Sequence, residues 1–179
     1  MNKRHVALLS VGLMFVGLTA AAAHISRFSV NLTGGQEVPP VSTEADGKFT
    51  AQAKMEDGQI DFRLRVDDME NVTMAHLHCA PPGQNGPVVV TLFGMIPGGF
   101  DVDGELSDYT ITQDNIDSTA ASCSPAIATL DDLIAAMRSG MIYANVHTVA
   151  HPSGEVRAQV GTFVSSATPT PTPTPIPAP

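Results

Sequence analysis

Positive charge is scarce in this chain: 9 Lys and Arg stand against 18 Asp and Glu, for a formal net charge of -9. Beyond Lys3 and Arg4 no basic cluster exists, and neutralising a phosphate backbone needs clustered cations. Nucleic acid is therefore an unsuitable partner. Long apolar runs are missing too, apart from one at the extreme N-terminus, which excludes a polytopic membrane protein. Tryptophan is absent and aromatics make up only 5% of residues, consistent with a modest core. No Ser/His/Asp set, phosphate-cradling glycine loop or paired-carboxylate site stands out, so hydrolase and nucleotide-binding roles have no support.

The two ends differ from the middle. Residues 1–23 have a basic start, an apolar run from Val6 to about Leu18 and small residues at Ala21, Ala22 and Ala23, the three-part pattern of a secretory signal peptide. An uncleaved anchor is the competing reading, but the run is short for a bilayer span of about 20 residues. Cleavage after Ala23 leaves 7 basic and 18 acidic groups, a charge of -11, and no membrane span. His24 then becomes the N-terminus, where amine and ring together can chelate copper. Residues 165–179 form an uncharged Thr/Pro tract that reads as an extended, solvated spacer. Between them, residues 24–164 make one domain of about 140 residues, enough to form a core without obligatory metals or disulfides.

Only two cysteines are present, Cys79 and Cys123, both in the exported part. An even count in an oxidising compartment predicts one bridge, with a thiolate metal ligand or two free thiols as the alternatives. Short segments alternating with period two dominate the domain: Phe28–Thr33, Lys48–Met55 and Gln59–Val66, the last two joined by a Glu56-Asp57-Gly58 hairpin turn. Further strands are expected at Met74–Cys79, Val88–Phe93, Gly140–His147 and Glu155–Phe163. One helix is expected after Thr129, with Leu130, Leu133, Ile134 and Met137 on one face, Arg138 in the last turn and Gly140 as its stop. The predicted class is all-β, an antiparallel β-sandwich or barrel with one short helix.

Histidines carry the chemistry. In a strand, residues two apart share a face, so His76 and His78 project together while Leu77 and Cys79 point the other way. Tyr143, Asn145 and His147 form the polar face of a later strand, and Glu155, Arg157 and Gln159 that of the next. If those two strands pair as a hairpin, the polar faces coincide. Imidazoles on neighbouring strands suit Cu or Zn. The competing reading is a set of structural histidines that tie loops to the sheet. Met69 and Met74 either soften such a site towards Cu(I) or fill core gaps. Gln36-Glu37-Val38-Pro39-Pro40 reads as a rigid exposed turn, either a functional loop through its carboxylate or, as favoured, a structural corner, and Asp101-Val102-Asp103-Gly104-Glu105 resembles the start of a calcium loop but lacks its twelve-residue pattern.

These residues also carry a family resemblance. Leu32 to Pro40 followed by Asp46-Gly47, then Ala75-His76-Leu77-His78, Asn85-Gly86-Pro87-Val88-Val89, Tyr143 to Thr148 and Pro152 to Gln159 resemble, in order, the CHRD domain named after chordin. Ala158 departs from the family's usual glycine. His151 lies in a loop outside the motif positions, whereas His76, His78 and His147 match them. The resemblance implies an immunoglobulin-like β-sandwich or barrel and a secreted location, periplasmic or cell-surface, without supplying a reaction. The expected function is an extracellular binding module for an unidentified protein or surface component. In it His76, His78 and His147, with His151 as an additional candidate, hold Cu or Zn. A superoxide-dismutase-like copper redox enzyme and a purely structural surface domain are the alternatives.

Overall fold

The computed structural model describes residues 25–161 and 163–165. The segment read as a signal peptide, His24 and residues 166–179 of the Thr/Pro tail lie outside the described residues. Eight strands and one helix follow in order: β1 (Ile25–Thr33), β2 (Asp46–Lys54), β3 (Gln59–Cys79), β4 (Val88–Phe93), β5 (Phe100–Ile111), α1 (Leu130–Arg138), β6 (Ile142–Thr148), β7 (Val156–Val160) and β8 (Phe163–Ser165).

The strands close into an antiparallel barrel rather than two facing sheets. Its five staves run β2-β1-β7-β6-β3, and β3 returns to pair with β2. Closure removes the open edges that a flat sheet would present. The hairpin expected at Glu56 to Gly58 joins β2 to β3, with Gly58 at φ 59°, where its missing Cβ admits the left-handed turn. Alternation along β2 and β3 places Phe49, Ala51, Ala53, Ile60, Phe62, Leu64 and Val66 inside, against Phe28 and Leu32 of β1.

β3 corrects the strand list. Two separate strands were expected, but a single 21-residue strand spans them. Its first half pairs with β2 and β5, its second half with β6 and β4. Between the halves, Asp68 (φ 55°) and Asn71 (φ 51°) take left-handed conformations that short polar side chains tolerate, and the pairing with β5 shifts register there. The run Asp67 to Asn71, polar except for the buried Met69, interrupts the apolar alternation without ending the strand. β5 was not foreseen because it lies against β3 and is mostly exposed, with little apolar alternation to read. The acids of Asp101 to Glu105 therefore lie on a strand, and Asp101 accepts the Asn71 N–H.

The helix begins where Thr129 caps it. Its hydroxyl accepts the Asp132 N–H at 3.1 Å while the Asp132 carboxylate accepts the Thr129 N–H at 2.9 Å, two donors satisfied reciprocally. Leu130, Leu133, Ile134 and Met137 are buried, and Arg138 reaches back to the Ser26 hydroxyl. Burying each of these four contributes about 1.5–3 kcal/mol. Cys79, at the end of β3, is bonded to Cys123 with a Cα–Cα distance of 6.0 Å, closing a 44-residue separation.

Candidate metal centre

The second half of β3 sorts its side chains strictly by parity. Ala75, Leu77 and Cys79 face the core, so His76 and His78 project outward on the opposite face. β6 lies beside it in register: Met74 opposite His147, His76 opposite Asn145, His78 opposite Tyr143. β7 continues the row, with Asn145 opposite Arg157 and Tyr143 opposite Gln159. His76 and His78 of β3 and His147 of β6, 71 residues apart between His76 and His147, thus meet on one outer wall of the barrel.

That wall is roofed by loops. His78 Nδ1 donates to the Gly86 carbonyl at 3.0 Å, and His147 Nδ1 donates to the Pro152 carbonyl at 3.0 Å. Each bond fixes its ring with Nε2 as the unprotonated nitrogen, as outer hydrogen bonds do for metal-ligating imidazoles. His76 Nδ1 stands 3.2 Å from His147 Nε2. His78 Nε2 is buried without a hydrogen-bond partner. Asn145 Oδ1 and Glu37 Oε1 are buried without partners as well, and the Asn145 side chain acts on His78, so a water, an ion or the Asn145 amide completes this ring's bonding.

The spacing suits one ion. The ligand nitrogens of His76, His78 and His147 all lie within 4.8 Å of one another. Ring centroids are 5.1 Å apart for His76 and His147, 5.5 Å for His76 and His78, and 6.1 Å for His78 and His147. With metal–nitrogen bonds of about 2.0–2.1 Å, three imidazoles on a tetrahedral ion place their nitrogens about 3.4 Å and their centroids about 5 Å apart. Contraction by less than about 1.5 Å between nitrogens completes the geometry.

Burial also sets the protonation state. Desolvation, reinforced by the neighbouring imidazoles, pushes His76 down to about 4, and desolvation pushes His147 down to about 4 as well. His78 is lowered by the same loss of solvent. At neutral pH all three rings are uncharged, the form that binds a metal.

The surrounding residues hold the ligands still. Tyr143 stacks on His78 with centroids 4.9 Å apart and ring planes 5° from parallel. On its other face lies the Arg157 guanidinium, 3.4 Å from the ring centroid. Arg157 donates to Asn85 Oδ1 at 3.0 Å and to the Gln84 carbonyl at 2.8 Å, and the Gly86 N–H donates to the Tyr143 hydroxyl at 3.2 Å. The segment supplying the His78 acceptor is thereby pinned to β6 and β7. Gly86 must lack a side chain, because a Cβ there would overlap the Cys79 carbonyl. Asn85 also donates to the Val38 carbonyl, linking this roof to the β1–β2 loop.

The predicted residues divide clearly. His76, His78 and His147 come together, and Tyr143, Asn145 and Arg157 surround them. His151 does not join the group; its backbone N–H donates to the Thr148 hydroxyl and its carbonyl accepts from Gly154. Glu155 turns from the histidines, its oxygens accepting from Thr43 at 2.7 Å and Thr148 at 2.6 Å. The methionines separate too: Met69 is 2% exposed in the core, whereas Met74 is half-buried on the histidine face. Sequence reasoning expected Glu37 on an exposed turn. The corner expected there does form, but Glu37 is only 5% exposed, and burial raises its carboxyl to about 7 against the opposing pull of Arg157. The only signal was an acid beside two prolines after two glycines.

A family model described as CHRD domain matches residues 28–160. Comparison with curated proteins and with solved structures returns no match.

Proposed function

The chain belongs to the CHRD domain family, and on that premise we propose that it is an exported binding module whose His76, His78 and His147 hold one Cu or Zn ion. The observation that carries this reading is the convergence of the three ring nitrogens within 4.8 Å of one another, with the outer nitrogens of His78 and His147 tied to the Gly86 and Pro152 carbonyls. Imidazole nitrogens favour Cu or Zn over hard cations such as Ca. The loop 80–87 and the β6–β7 turn would hold the ligand rings in place for such an ion through the Gly86 and Pro152 carbonyls. In the exported protein the acidic surface favours the approach of cations.

Export is supported by the N-terminal pattern and by the Cys79–Cys123 bond, which persists in oxidising compartments. Among the described residues no helix is long and apolar enough to cross a membrane. The partner class that fits this location is an extracellular protein or surface component.

Thermal unfolding of metal-free protein with added Zn or Cu tests the reading. A ligand at 100 times its Kd stabilises the folded state by about 2.7 kcal/mol, so the midpoint rises with metal concentration and the rise disappears in His78→Ala. An unfolding midpoint that ignores both metals overturns it.

A further inference from the structure

We propose that Met74 supplies a fourth, thioether ligand to the three-histidine site and makes it selective for copper, as Cu(I), over zinc. This rests on the three-histidine reading above and names the metal it takes.

The inference starts from position. Met74 begins the run in which 74, 76 and 78 share one face of β3, and its direct cross-strand partner on β6 is His147. Directly opposed residues on an antiparallel pair stand with Cβ atoms about 4.5–5.5 Å apart on the same face. Met74 thus neighbours His76 along its own strand and His147 across the ladder, the two rings whose nitrogens approach to 3.2 Å. Three rotatable bonds let the sulfur follow a small ligand contraction.

Core packing gives no other account of it. Met69, Met137 and the partly buried Met55 and Met141 all belong to or pack against the apolar core, while Met74 does neither. It is half-buried two residues from His76 on β3 and directly across from His147 on β6. A thioether is a poor ligand for Zn(II) beside imidazole, and a good one for copper, Cu(I) above all. Adding it to three neutral imidazoles gives a four-coordinate, uncharged donor set that suits a monovalent soft ion.

The test is a chelator competition with Cu(I) alone and, separately, with Zn(II) alone, on the exported full chain and on Met74→Leu, with X-ray absorption on the copper-loaded protein. Leucine keeps the volume and apolar character of a half-exposed site, and circular dichroism confirms the fold. The expected result is a Cu(I) affinity weakened by about ten-fold or more, the scale on which even residues outside the ligand shell act on a metal site. Zn(II) affinity stays unchanged, and one sulfur appears in the copper shell beside nitrogens. Equal Cu(I) affinity in both proteins with an all-nitrogen shell overturns the role of Met74 and leaves the histidine site standing. Failure of the parent chain to bind either metal overturns both.

Discussion

Replacing Glu37 by glutamine isolates the buried carboxyl from the histidines around it through the pH dependence of stability. His147 falls from 6.5 to about 4 on folding, which at about 1.4 kcal/mol for each tenfold change in proton affinity corresponds to about 3 kcal/mol. His76 falls similarly but is half-exposed, and solvent screening reduces its share to about 1 kcal/mol. Because the unfolded chain binds these protons more readily, the metal-free protein loses this stability as pH drops from about 6.5 through about 4. Glu37 acts in the opposite sense. Its proton is held more tightly in the folded state, so its contribution is full below about 4.5 and fades as pH rises through about 7. After screening, that contribution is about 1–2 kcal/mol. Urea unfolding in a chelator at pH 4.5 and pH 8 is the assay. Glu37→Gln and the parent should be nearly equal at pH 4.5, with the variant more stable by about 1–2 kcal/mol at pH 8, where the parent must bury a carboxylate. A difference that does not change with pH, or that favours the parent at pH 8, refutes the reasoning.

Removing both cysteines as Cys79→Ser and Cys123→Ser should lower stability by about 4 kcal/mol from the loop entropy of a 44-residue separation, read as a shift in the denaturant midpoint. Gly154→Ala places a methyl 2.5 Å from Glu37 Oε1 and 2.6 Å from Asn145 Nδ2 at φ 127°, and thermal unfolding should show a loss of about 1–3 kcal/mol. Thr129→Ala removes the helix cap at a cost of about 1 kcal/mol, measured by the same unfolding, while metal affinity holds, since the three histidines stand on β3 and β6 and not on α1.

Much of the fold was legible because burial alternates. β1, β2, the outer parts of β3, and the capped helix all carry an apolar periodicity that burial on one side imposes. The parity argument at His76 and His78 held for the same reason: Leu77 and Cys79 must face the core. What escaped was written in backbone rather than side chains. The bend at Asp68 and Asn71 continues a strand through polar residues, and β5 exposes most of its length, so neither leaves an apolar trace. The β2–β3 hairpin was legible in its turn, but closure into a barrel also depends on β1 meeting β7 and β3 meeting β6, pairings between distant segments that no local pattern encodes. At the site, the three histidines were readable, but their carbonyl acceptors at Gly86 and Pro152 and the buried Glu37 arise from loops folding over the wall. His151 misled through proximity in sequence: the β6–β7 turn directs the His147 ring to Pro152 and leaves His151 outside the group.

Direct titration of metal-free protein with Cu or Zn, comparing the parent with His76→Ala, His78→Ala, His147→Ala and His151→Ala, tests the central claim most closely. The account predicts one ion per chain, a marked loss of affinity in each of the first three variants and none in His151→Ala. Uptake that survives all three substitutions, or that falls equally in His151→Ala, contradicts it.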